Sequence, residues 1–181
     1  NMLDSVVGGD SERARKLRRA LAIAVDYEEF ISIFLNGRGI ASQGPLPPGI
    51  FGHVEGEGGR NPYVYNWVNG APERKSIAEA KALLREAGYA DGIDQETGKP
   101  LVLHFDVTGG GPDDKSRLEW FRKQFRKLDI QLMLRTTDYN RFDEKMRKGN
   151  AQIFMWGWNA DYPDPENFFF LLYGPNSKVK N

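Results

Sequence analysis

The chain has 181 residues, 40% hydrophobic and 28% charged, an ordinary composition for one domain with a real core. Its 25 basic and 25 acidic side chains leave no net charge, which disfavours nucleic acid as a partner because a phosphate binder carries a basic excess. There is no cysteine, so disulfides, thiolate metal sites and a cysteine nucleophile are excluded, and two histidines far apart, His53 and His104, make a His-rich metal site a poor reading.

In chain order, Ala14, Leu17, Leu21, Ala24 and Val25 recur at helical spacing and predict a helix over 11–25. The run Arg13, Arg15, Lys16, Arg18, Arg19 reads as its solvated face. Asp26 with Glu29 forms a capping box for a second helix that carries Phe30, Ile31, Phe34 and Leu35 and stops near Gly37. Residues 37–62 are rich in Gly and Pro and read as a long loop, with Pro45-Leu46-Pro47-Pro48 extended; loops of this length inside a domain are often functional. The PxxP match of Pro45 and Pro48 is the kind that arises by chance.

Tyr63, Tyr65 and Trp67 alternate as in a short strand. Ser76 and Glu79 form another capping box, and the helix behind them ends at Gly88. Asp91 to Pro100 is a polar turn, whose faint likeness to a calcium loop fails the EF-hand spacing. Leu101, Leu103, Phe105 and Val107 predict a strand over 101–107, followed by Gly109-Gly110-Gly111, by default a flexible turn. Leu118, Phe121, Phe125 and Leu128 form a helix face, and Ile130, Leu132 and Leu134 the next strand. Asp138 caps a helix bearing Phe142 and Met146 that Gly149 closes, and Ile153 to Trp158 reads as another strand. This alternation predicts an α/β sheet with right-handed crossovers, whose ligands bind beyond the carboxyl ends of strands.

The last predicted strand ends in Gly157-Trp158-Asn159-Ala160-Asp161-Tyr162-Pro163-Asp164-Pro165, after which an aromatic helix runs from Phe168 to Leu172. Asp164 before Pro165 is a helix start, and so structural. Asp161, three residues beyond the predicted strand, is either a ligand contact or an Asx-turn residue before Tyr162-Pro163, and spacing leaves both open. Trp156 and Trp158 share a strand face; Trp156 is expected in the core, and Trp158, nearer the turn, can wall a pocket. Two aspartates in one turn are a weak glycosidase pair, since such carboxyls usually come from separate elements about 5–9 Å apart. No GxSxG, HExxH or phosphate-loop motif occurs. Both ends, Asn1 without a signal peptide and Lys178-Val179-Lys180-Asn181 without a capping element, read as cuts inside a longer protein.

Four segments in order, Lys16-Leu17-Arg18-Arg19-Ala20-Leu21-Ala22-Ile23-Ala24-Val25-Asp26, Gly44-Pro45-Leu46-Pro47-Pro48, Ala80-Lys81-Ala82-Leu83-Leu84-Arg85-Glu86-Ala87-Gly88-Tyr89 and Gly157-Trp158-Asn159-Ala160-Asp161, resemble the peptide/nickel family of extracellular solute-binding proteins, the receptors of ABC importers. The resemblance covers nearly the whole chain. It implies an α/β fold with a mixed sheet and flanking helices, forming residues 1–181 as the single C-terminal lobe of a two-lobed, type II receptor that is periplasmic or anchored as a lipoprotein. The partners it implies are a peptide ligand, the N-terminal lobe of the same parent and an ABC permease in the membrane, with no cofactor, metal site or catalysis. It makes Asp161 the residue that holds the peptide α-ammonium and Trp158 a wall of the same pocket, with Asn159 and Tyr162 as further ligand contacts. The loop Thr108-Gly109-Gly110-Gly111 lacks the basic residue that some dipeptide receptors carry after the matching strand. Receptors for oligosaccharides or metal complexes are the alternative within the family, and a carboxylate-dependent hydrolase the alternative outside it.

Overall fold

A seven-residue strand, Val102–Thr108, organises the larger of two compact units in the computed structural model, which describes residues 1–109, 111 and 114–176. Gly110 of the predicted glycine turn and the terminal Lys178-Val179-Lys180-Asn181 lie outside the described residues. In chain order the helices are α1 (Glu12–Ala24), α2 (Tyr27–Phe34), α3 (Ile77–Glu86), α4 (Asp114–Arg126), α5 (Tyr139–Arg147) and α6 (Glu166–Phe169). The strands are β1 (Tyr65–Val68), β2 (Ala71–Arg74), β3 (Ile93–Asp94), β4 (Lys99–Pro100), β5 (Val102–Thr108), β6 (Gln131–Thr137) and β7 (Ile153–Phe154).

The first unit comprises Asn1–Asp26 and Lys75–Trp156. Its sheet has the order β6-β5-β7 and is parallel in both pairs. The antiparallel pairing expected of a mixed sheet occurs instead in two separate hairpins, β1–β2 and β3–β4. Leu103, Phe105 and Val107 are buried, as their alternation predicts. Phe105 meets Phe121 of α4 edge-on at 5.1 Å, while the next residue, Asp106, pairs with Lys145 of α5. Successive strand residues face opposite sides, so α4 and α5 cover opposite faces of the sheet, as two right-handed crossovers running in opposite directions require.

Local signals position the helices. The Ser11 hydroxyl accepts the Ala14 N–H at 3.2 Å, Ser76 and Glu79 cap α3 reciprocally, and Asp138 accepts the Arg141 N–H at 3.1 Å. Gly88, at φ +77°, closes α3 as predicted. The predicted solvated face of α1 is in fact engaged: Arg13 pairs with Asp94 at 2.9 Å and with Glu96, and Arg18 donates to the Val7 and Gly9 carbonyls. The guanidinium of Arg13 also lies 4.4 Å over the buried Tyr89 ring. The predicted polar turn over 91–100 is the β3–β4 hairpin that supplies those acids.

The second unit comprises Tyr27–Arg74 and the residues from Gly157. Its long loop matches the prediction, but Pro45–Pro48 is not extended: the chain bends there, and the Ile50 N–H donates to the Pro47 carbonyl at 3.3 Å. The predicted strand at 63–67 is β1, displaced to 65–68 and paired with β2, which sequence reading did not find. The turn between them is Asn69-Gly70, both with positive φ (51° and 81°), the signature of a tight hairpin. Tyr65 and Arg74, opposite each other in this hairpin, both bond the Glu28 carboxylate of α2, at 2.6 Å and 2.7 Å.

Candidate functional site

The predicted strand 153–158 pairs over only two residues, with Phe105↔Ile153 and Asp106↔Phe154 in register. Asp161 is therefore well beyond the end of the strand, and Trp156 is not a core strand residue. Trp156 is 47% exposed, resting edge-on against Tyr139 and the fully buried Phe142, because β7 ends before its side chain can alternate into the sheet.

The segment from Gly157 folds on itself around one buried amide. Asn167, in α6, is 2% exposed, and its Oδ1 accepts two donors: the Trp158 indole Nε1–H at 3.0 Å and the Asp161 backbone N–H at 3.1 Å. Both partners are donors, so the atom that receives them must be the amide oxygen. The Trp158 ring also meets Phe170 edge-on at 5.1 Å and remains 43% exposed. Trp158 is thus held by one hydrogen bond and one ring contact while part of its face stays open.

Asp164 has the structural duty the sequence assigns to it, shifted by one position. Its carboxylate accepts the Glu166 N–H at 2.8 Å and its carbonyl the Asn167 N–H at 3.0 Å. The helix it starts is Glu166–Phe169, earlier than the Phe168–Leu172 predicted, because Pro165 and Asp164 nucleate the turn before the aromatic run is reached. The Asp161 carboxylate is different. It is exposed, and among the described residues no side chain or backbone donor pairs with it. Its N–H is fixed while its charge is left free.

The other predicted residues fall around this knot. Asn159 is exposed. Tyr162 is 46% exposed and its hydroxyl reaches Glu166 at 3.4 Å, a long contact that leaves most of the ring open. Asn167 was missed by sequence reading. Its signal was its place immediately before the aromatic run, yet nothing in composition says which asparagine is buried. Among the described residues no cluster of three potential metal ligands occurs.

A turn that leaves part of an indole face open and, among the described residues, a carboxylate unpaired has the groups to meet a cation with an apolar neighbour. The chain belongs to the bacterial extracellular solute-binding proteins of family 5, whose middle segment it matches over residues 11–180. It is 27% identical over 159 residues to the dipeptide-binding protein of Escherichia coli, covering 87% of this chain and 26% of that protein. It is also 27% identical over 162 residues to heme-binding protein A of Haemophilus influenzae, covering 90% of this chain and 26% of that protein. The chain thus spans about a quarter of the length of these relatives.

Among solved structures, the murein tripeptide binding protein MppA of Escherichia coli superposes with a TM-score of 0.70 at 21% identity, over 93% of this chain and 31% of that one. OppA of Burkholderia pseudomallei gives 0.69 at 23% identity, over 97% and 31%. These likenesses establish the fold, that of part of a two-lobed, type II periplasmic binding protein. The family consists of solute-binding receptors, and the relatives include periplasmic ones.

Proposed function

We propose that the chain is part of the C-terminal lobe of a peptide receptor that serves an ABC importer and performs no catalysis. In this reading Asp161 receives the α-ammonium of the peptide and Trp158 lines the same pocket, with Asn159 and Tyr162 at its edge. The parent works in the periplasm, or anchored at the outer face of the membrane, and hands its peptide to a permease. The observation that carries the reading is the free carboxylate of Asp161 on a backbone pinned by Asn167. A carboxylate that is withdrawn from water when a receptor closes needs a cationic partner, and a free amino terminus supplies one. The names of relatives that bind di- and tripeptides support peptides as the ligand class.

The test is thermal stabilisation of the full-length parent by a pool of short peptides and by the same pool N-acetylated. Stabilisation by free-amine peptides alone, lost in Asp161→Asn, is expected. Equal stabilisation by both pools removes Asp161 from amine binding. No shift with either refutes the peptide reading and favours sugars or metal complexes.

A further inference from the structure

The proline-rich loop of the second unit borders an open cavity of about 300 Å³ whose lining includes none of Trp158, Asn159, Asp161 and Tyr162. We propose that it is a separate site for a compact apolar carboxylate, a small molecule with one anionic end. Its volume is at the lower end of small-molecule sites, enough for a ring-sized body. Leu46, Pro47, Pro48 and Trp67 supply apolar walls. These walls are fixed in place: His53 Nδ1 donates to the Leu46 carbonyl at 2.8 Å, and Trp67 sits in β1 directly opposite Pro72 of β2.

Arg60 gives the cavity its charge. It lines the cavity, its Nη1 donates to the Glu57 carbonyl at 3.3 Å, and among the described residues its guanidinium makes no ion pair. Glu55 also borders the cavity, but it is exposed and does not pair with Arg60. A guanidinium beside an apolar cavity is matched by a carboxylate, which takes its fork with two parallel bonds. Apolar walls beside a guanidinium that makes no ion pair among the described residues therefore suit an apolar body with a carboxylate. Asp161 is not among the residues that line the cavity.

The test is isothermal titration calorimetry of the full-length parent with 3-phenylpropionate and, as its uncharged counterpart, 3-phenylpropanol. Wild type binds the carboxylate saturably and the alcohol at least about tenfold more weakly, because the charge-assisted bonds are lost. Arg60→Gln weakens the carboxylate by about tenfold or more, and Arg60→Lys, which keeps the charge without the fork, falls between. Asp161→Asn, which disables the proposed peptide site, binds the carboxylate as wild type does. No saturable binding by wild type, equal binding by Arg60→Gln, or loss of binding in Asp161→Asn each overturns the proposal. The last result means that the probe had entered the peptide site.

Discussion

Replacing Asn167 by Ala removes the one acceptor that holds both Trp158 and Asp161. A neutral hydrogen bond contributes a net 0.5–1.5 kcal/mol, so losing two costs about 1–3 kcal/mol of stability. The lower half of that range is expected, since Trp158 is 43% exposed and its indole N–H can turn to water. The effect on binding is separate. If the proposed peptide site is correct, a peptide must then order Trp158 and the Asp161 backbone as it binds, and affinity falls by about tenfold. Trp158→Phe removes one of the two bonds alone. In that background Asn167→Ala has less left to break, so the two substitutions are less than additive by about 0.5–1.5 kcal/mol. Urea unfolding and peptide calorimetry on the parent measure both quantities. Unchanged unfolding together with unchanged peptide affinity in Asn167→Ala, or full additivity with Trp158→Phe, refutes Asn167 as the organiser of the turn.

Three further outcomes follow from contacts within each unit. Lys145→Met leaves Asp106, 1% exposed, as an unpaired carboxylate under α5 and costs about 2–4 kcal/mol, whereas joint replacement of both by Leu recovers most of it; equal losses in single and double variants sink this account. Partial burial works to raise the Glu28 carboxyl, but hydrogen bonds from Tyr65 and Arg74 outweigh it and its pKa is lowered. The stability it contributes is present above the unfolded pKa of about 4.5 and is lost as pH falls through the lower folded value; Arg74→Gln flattens that acid limb in a pH-dependent melting series, and an unaltered limb contradicts it. Gly92 has φ +70° and a Cβ there would overlap the Asp129 carbonyl oxygen, whereas Gly98, at φ +68°, faces open space. Gly98→Ala therefore costs about 1 kcal/mol for the left-handed backbone alone, Gly92→Ala at least about 1 kcal/mol more for the clash, and equal losses rule the clash out.

Elements were legible where the information is local. Ser76 with Glu79, Asp138 and Gly88 are caps that act within one helical turn, and all three are found where the sequence puts them. The leucine and phenylalanine alternation of β5 is likewise decided by which face each side chain takes. The failures are long-range. Ala71-Pro72-Glu73-Arg74 has no strand-like alternation and becomes a strand only because Asn69-Gly70 folds it back on β1. That dipeptide is the readable signal for the hairpin. The basic run of α1 looked solvated because its acids, Asp94 and Glu96, are supplied by a hairpin far along the chain.

The same division explains the candidate site. Trp158 and Asp161 stand out because an indole and a carboxylate beside a proline-stiffened turn are unusual neighbours. What decides their geometry is a third residue with no sequence signature: Asn167 is buried only because the turn closes over it. The turn closes because Asp164 gives its carboxylate to Glu166 and its carbonyl to Asn167, which starts α6 two residues earlier than the aromatic run alone would. The two carboxylates that the sequence already distinguishes are thereby held in different ways. Asp164 turns a carboxylate oxygen to the Glu166 N–H at the start of α6, whereas Asp161 is held in the turn by its backbone N–H. Of the two carboxylates, only that of Asp164 is tied into the turn.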